Sequence, residues 1–251
     1  MKFLIVLALL QSLALFAADN PPNKPVLVEL FTSEGCSSCP PADALLRDLD
    51  KQPIPGVDLI VLSEHVDYWN HIGWKDPYSS KFFSDRQGDY AQKLGLGDVY
   101  TPQMIVDGAQ EFVGSDNRKA QIAIEKSRSR QKLTVSLSSP KIADGILRSQ
   151  IAVAAVPESS HLRNADVYVA IALNHAESQV LRGENEGRRL EHVAVVQSIS
   201  RLGSVSSRQA FMQNAAIKLE GNPDSANLRV IVFVQDRVSG QVIGAVEQKL
   251  N

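Results

Sequence analysis

The chain has 251 residues, of which 44% are hydrophobic and 22% charged, and its 26 basic and 28 acidic side chains leave a formal net charge of −2. That balance offers no basic face for nucleic acid, while the apolar content suffices for a sizeable core in one large domain or two small ones. Beyond the first residues no apolar stretch approaches the ~20 residues needed to cross a bilayer, so no stable membrane insertion is expected.

Residues 1–18 read as a signal peptide. Lys2 is followed by an apolar run from Phe3, and Ala17 and Ala18 supply the small residues that a signal peptidase prefers. The expected location is therefore periplasmic or secreted. Loss of Lys2 with the leader leaves 25 basic against 28 acidic residues, a net charge of −3.

Residues 19–131 alternate between strand-like and helix-like segments. Val26–Phe31 is a compact apolar run suited to a buried strand, Pro40–Leu49 has helical spacing, and Val57–Val66 is a second buried strand. Lys81–Leu94 places Phe82, Phe83, Tyr90 and Leu94 at helical offsets. Met104–Val106, an Asp107-Gly108 turn and Glu111–Val113 form a predicted hairpin. Ser115 or Asp116 is placed to cap a last helix that runs to Arg130. This alternation predicts an α/β layer.

Residues 132–251 switch to mostly period-2 patterning. Leu133–Leu137, Ile146–Val156, Asp166–Leu173, His192–Ser198, Ala216–Leu219, Leu228–Gln235 and Val242–Val246 are the expected strands, separated by Gly, Asn, Ser and Pro. Seven short strands at this spacing predict a β-sandwich-like second domain.

Cys36 and Cys39 are the only cysteines, and both lie in GCSSCPP. A thiolate at a helix start is stabilised by unpaired backbone N–H groups and the helix dipole, and Pro40 and Pro41 suit a first helical turn. A two-residue spacer lets Cys39 resolve a mixed disulfide formed at Cys36. Two other readings compete. A structural disulfide closing so short a loop constrains the unfolded chain little. A zinc site needs further ligands, for which His65 and His71 are the nearby histidines. Redox use fits the context best, and no cofactor or resident metal is assigned.

Thr101-Pro102 precedes the strand at Met104, and a proline there is a plausible site for a cis peptide. The order strand, CxxC, helix, strand, helix, Thr-Pro, strand, Asp-Gly turn, strand, helix resembles the thioredoxin fold over residues 26–130. The resemblance implies a cis-Pro102 against the CxxC, with the backbone before it pairing an extended substrate. Thioredoxins also carry a buried proton-moving acid on the first of these strands, one residue closer to the motif than Glu29. Matching Glu29 to it requires one inserted residue in the loop. A side chain reaching solvent at a sheet edge is the alternative for Glu29.

FTSEGCSSCPPAD (31–43), the long segment from His65 to Gly108, and GENEGRRLEHVAVV (183–196) together resemble an exported bacterial thioredoxin-like family catalogued as domain of unknown function 1223. The resemblance implies a thioredoxin-like domain with a β-sandwich-like appendage and no established substrate. His65, Asp67, Tyr68 and Trp69 follow the second strand at the end where α/β folds place their sites. His65 is a candidate proton relay for Cys36, and Trp69, Trp74 and Tyr100 are candidates for an apolar substrate wall. A packed lid is the competing reading of these aromatics. For Gly183–Arg189 two placements are open: a reach over the CxxC towards an anionic group, or a hairpin turn with an interdomain salt bridge from Arg182, Arg188 or Arg189. The expected partner is a protein or small-molecule thiol or disulfide.

Overall fold

The computed structural model describes residues 23–158, 164–221 and 223–250, so the expected signal peptide lies outside the described residues. The first half follows the sequence pattern closely. Strand β1 (Lys24–Thr32) is buried along most of its length, as its near-continuous apolar run requires. Helix α1 (Pro40–Lys51) starts on the two prolines. Strand β2 (Val57–His65) leads to α2 (Lys81–Leu94), which Ser80 caps by accepting from the Phe82 N–H and which Gly95 ends at φ 68. Strands β3 (Gln103–Val106) and β4 (Gln110–Val113) form the hairpin, and Asp116 accepts the Lys119 N–H at 3.0 Å to cap α3 (Asn117–Arg128).

The second half comprises β5 (Val135–Leu137), β6 (Lys141–Ala143), β7 (Ile146–Val153), β8 (Asn164–Gln179), β9 (Arg189–Ser206), β10 (Phe211–Lys218), β11 (Leu228–Asp236) and β12 (Val242–Lys249). Strands β8 and β9, with 16 and 18 residues, are about twice the length that their alternation suggests. Two register shifts bend this hairpin, so its ends escape the regular apolar pattern. The short β6 was not anticipated.

An eight-stranded sheet in the order β12-β11-β8-β9-β2-β1-β3-β4 runs through both halves. Strand β1 is parallel to β2 and antiparallel to β3, and β9 joins β2 in parallel at Ser63 and Val195. The change of sequence texture near residue 131 is thus not a break in the sheet. A four-stranded sheet of β10, β7, β5 and β6 packs on the β8–β11–β12 end, with Ile151, Val153, Val167, Val169, Val230 and Val232 in the shared core.

Alternation along β1 separates two chemistries. Val26, Val28 and Leu30 face α1 and α3, whereas Leu27 and Phe31 face Phe83 and Tyr90 of α2. Among the described residues no helix is long and apolar enough to cross a membrane.

Glu29 lies on the α2 face and is 0% exposed, so it does not reach solvent at an edge. Its carboxylate pairs with Arg86 and accepts the Tyr90 hydroxyl. Glu64, also 0% exposed, lies 3.4 Å from Arg86 Nε, and neither of its oxygens has a hydrogen-bond partner. One guanidinium thus serves two buried carboxyls. Burial, opposed by Arg86 and reinforced by Glu29, pushes the Glu64 carboxyl well above the usual range of 4.5. A group with a raised native value favours folding below its unfolded value, and that contribution is lost as pH rises through the native one. Glu64→Gln should therefore match the wild type near pH 4.5 and exceed it by about 1–3 kcal/mol at pH 8 in urea unfolding. A wild-type advantage at pH 8 would sink this account.

Candidate functional site

The turn from β1 into α1 is built by backbone bonds. Cys36 N–H donates to Ser33 O and Cys39 N–H to Cys36 O, both at 3.2 Å, and the Ala42 and Asp43 N–H groups then take Cys39 O. Cys36 and Cys39 form a disulfide with a Cα–Cα distance of 5.5 Å. Both are buried, at 1% and 0% exposure, while Ser37 and Ser38 between them are exposed.

The Thr101-Pro102 peptide is cis, and the Thr101 carbonyl oxygen lies 3.9 Å from Cys36 Sγ. Trp69 Nε1 donates to Thr101 Oγ1 at 2.7 Å, and a side chain at Gly35 would meet Trp69 Cβ at 3.1 Å. Five expected residues, Cys36, Cys39, Thr101, Pro102 and Trp69, therefore share one corner.

The other expected residues are placed differently. Trp74 donates from Nε1 to Glu34 Oε2 at 2.8 Å and so joins a polar network. The Tyr100 side chain is spent on Glu111, and burial followed by this contact pushes its phenol up. Glu29 faces α2, on the side of the sheet opposite the α1 start. Its carboxylate is taken up by Arg86 and Tyr90 on that face. His65 is buried with Nδ1 2.7 Å from Asp76 Oδ2, and that same oxygen accepts the Glu34 N–H. His65 thus reaches the CxxC turn through Asp76. His71 is exposed.

Beneath the disulfide turn lies a set of buried polar groups: Glu34, Asp43, His65, Asp76 and His192, none above 5% exposure. His192, on β9, has Nε2 3.3 Å from Glu34 Oε1 and Nδ1 3.8 Å from Asp43 Oδ1. Asp43 also accepts the Thr32 hydroxyl at 2.9 Å. The rings of His65 and His192 meet edge to face with centroids 4.7 Å apart. Burial alone would drive the His192 imidazolium down, but Asp43 and Glu34 outweigh it and hold the ring up to about 10. Burial opposes, and the charge and hydrogen bond of His65 favour, the Asp76 carboxylate, whose pKa is lowered on balance. Among the described residues no three His, Cys, Asp or Glu side chains are grouped to hold a metal ion.

The segment between β8 and β9 reaches over the turn. Asn185, 0% exposed, donates from Nδ2 to Glu34 O at 2.8 Å and to Cys36 O at 2.9 Å. Glu184 Oε2 accepts the Ser37 N–H at 3.0 Å. Arg189 pairs with Glu177 inside the β8–β9 hairpin, and among the described residues no ion pair of Arg182 or Arg188 bridges the two halves. Glu34, Asp43, Asp76, Asn185 and His192 were not singled out from the sequence, although all five fall within the three family-like segments quoted above. Asp43 and His192 carried a signal, as polar residues among mainly apolar neighbours, whereas Glu34, Asp76 and Asn185 lie in polar stretches that carry none.

Below an unfolded value near 6.5 the His192 proton favours the native state, and this contribution fades as pH climbs towards about 10. His192→Gln should therefore lower stability by about 3 kcal/mol at pH 6 and by much less at pH 10, measured by urea midpoints. An equal loss at both pH values would refute the charged assignment.

The sequence of residues 27–235 matches a family model described as a protein of unknown function, DUF1223. The chain is similar to a protein from Agrobacterium tumefaciens of known X-ray structure, at 29% identity and a TM-score of 0.71, over 92% of this chain and 97% of that one. It also resembles HBP35 of Porphyromonas gingivalis, at 17% identity and a TM-score of 0.67, over 92% of this chain and 76% of that one, a likeness of fold. No curated protein matches the sequence. The family match runs from β1 to the end of β11, and on that span the chain belongs to the DUF1223 family.

Proposed function

We propose that the protein is an exported thiol–disulfide oxidoreductase whose first half is a thioredoxin-like redox module and whose second half is a β-sandwich-like extension of it. The observation that carries this reading is the corner itself: a Cys36–Cys39 disulfide at a helix start, with the carbonyl before a cis-proline 3.9 Å from Cys36 Sγ. The strand order β4-β3-β1-β2, with α1 and α3 on one face and α2 on the other, supports the thioredoxin-like assignment. Export rests on the leader sequence of residues 1–18 alone.

In the reduced protein the Cys36 thiolate attacks one sulfur of a substrate disulfide and releases the other as a thiolate, which takes up a proton. Cys39 then gives up its proton and attacks Cys36 Sγ. This releases the second substrate thiolate and closes the Cys36–Cys39 bond. The reverse sequence oxidises a substrate dithiol. The backbone of Thr101 is available to align an extended substrate beside the sulfurs, and Trp69 fixes the Thr101 side chain. His65 and Asp76 contribute by holding the Glu34 end of the turn.

One observation favours a second reading, in which the disulfide only shapes a binding surface. Both cysteines are at most 1% exposed. The two readings separate experimentally. Under the redox reading Cys36→Ser should reduce exchange with a model disulfide by 100-fold or more, on the order of a missing nucleophile. Cys39→Ser should in turn accumulate mixed disulfides at Cys36 that mass spectrometry identifies. A Cys36→Ser protein as active as the wild type, or a wild-type potential below about −300 mV, favours the structural disulfide instead.

A further inference from the structure

We infer that Glu184 sets the redox poise of the Cys36–Cys39 pair, and that its loop, Gly183–Asn185, is closed over the disulfide and released by reduction. This inference rests on the redox reading above and deepens it.

The Ser37 N–H directly follows Cys36 in the turn that leads into α1. Donors in this position stabilise a thiolate at the attacking cysteine. Here the donor is already taken by a carboxylate, at 3.0 Å. The nearby Ser37 side chain and then the Ser37 N–H hold the Glu184 carboxyl below its usual 4.5, so it is anionic at neutral pH. A disulfide carries no charge and tolerates that arrangement. A Cys36 thiolate competes for the same donor and repels the carboxylate. The loop therefore binds the oxidised pair more tightly than the reduced pair. Linkage makes the effect reciprocal: the closed loop favours the disulfide, and reduction loosens the loop.

The rest of the loop is built to close without being locked. Gly183, at φ 81, lets the chain pass Trp74, whose Cβ would lie 3.3 Å from any added side chain. Asn185 spends its amide N–H groups on Glu34 O and Cys36 O, yet its buried Oδ1 has no partner among the described residues. An unpaired buried acceptor weakens the closed state. The charges of His192, Glu34, Asp43 and Asp76 lie beneath the turn and are unchanged by substitutions at Glu184, so they cancel in the comparison below.

The test equilibrates the full chain with glutathione and glutathione disulfide. Two glutathione thiols supply two electrons; the Cys36–Cys39 bond breaks, the glutathione disulfide bond forms, and the two protons pass to the protein thiols or to solvent. Glu184→Gln keeps an oxygen acceptor for Ser37 and removes the charge. It should move the equilibrium about tenfold towards the dithiol, which is about 30 mV for a two-electron couple. Hydrogen exchange at residues 181–189 should be about tenfold faster in the reduced wild type than in the oxidised one, and this difference should shrink in Glu184→Gln. An equilibrium within twofold of wild type, or loop amides that exchange equally in both redox states, overturns the inference. Neither readout needs turnover of a substrate. Loss of the redox reading, seen as full activity in Cys36→Ser, is thereby distinguished from failure of the latch.

Discussion

Strand β9 lies between β2 and β8, and that insertion is the constraint on which the rest of the molecule depends. It makes one sheet of two differently patterned halves. Through Val193 and Ala194 it also enters the core under α1, and through the segment before it, it brings Asn185 onto the CxxC turn. The strand is bent to do so. Ala194 sits at φ 50, a conformation that is disfavoured by roughly 1–2 kcal/mol for a residue with a Cβ and persists only where surrounding packing fixes it. Side chains on both sides of Ala194 are consequently aimed at different tasks, His192 at the polar cluster and Val195 at β2.

The two faces of the β1 end hold two separate buried charge clusters, and different effects win in each. Around Arg86 a single cation faces Glu29 and Glu64, so desolvation dominates at Glu64 and raises its pKa. Around His192 two carboxylates face one imidazole, so attraction outweighs desolvation and the ring holds its charge. Burying such charges is costly, and an opposite charge nearby offsets part of that cost in each cluster. Of the two clusters, only the one that contains His192 contacts the disulfide turn, through Glu34 and Asp43.

Much of the CxxC corner was legible because it follows local rules. Two cysteines at a helix start, a proline entering a strand and an Asp-Gly turn each fix their own surroundings, and α2 falls on Lys81–Leu94 as its apolar spacing requires. The partner of Glu29 was not legible, because Arg86 is 57 positions away and only the packing of α2 on β1 brings them together. The cover supplied by Asn185 was hidden for a deeper reason. Its approach to Cys36 depends on β9 pairing with β2, and period-2 patterning says which face of a strand is buried but not which strand lies beside it. Arg182, Arg188 and Arg189 stand out by their charge, whereas Glu184 and Asn185, between Arg182 and Arg188, make the contacts to the turn.

A disulfide at most 1% exposed would ordinarily argue against exchange chemistry, and the origin of that burial decides how much weight it has. Part of the surrounding corner is rigid: Trp69 is bonded to Thr101, and Gly114 leaves no room for a side chain among Leu30, Ala42 and Pro102. Beside it lies Gly183–Asn185, whose neighbours Leu181, Arg182 and Glu186 are exposed, and which is held to the turn by hydrogen bonds. Segments with few apolar contacts open at a small fraction of the global unfolding free energy. Ser37 and Ser38 already face solvent between the sulfurs. A disulfide buried beside a segment held in this way is therefore not excluded, by burial alone, from the exchange proposed above.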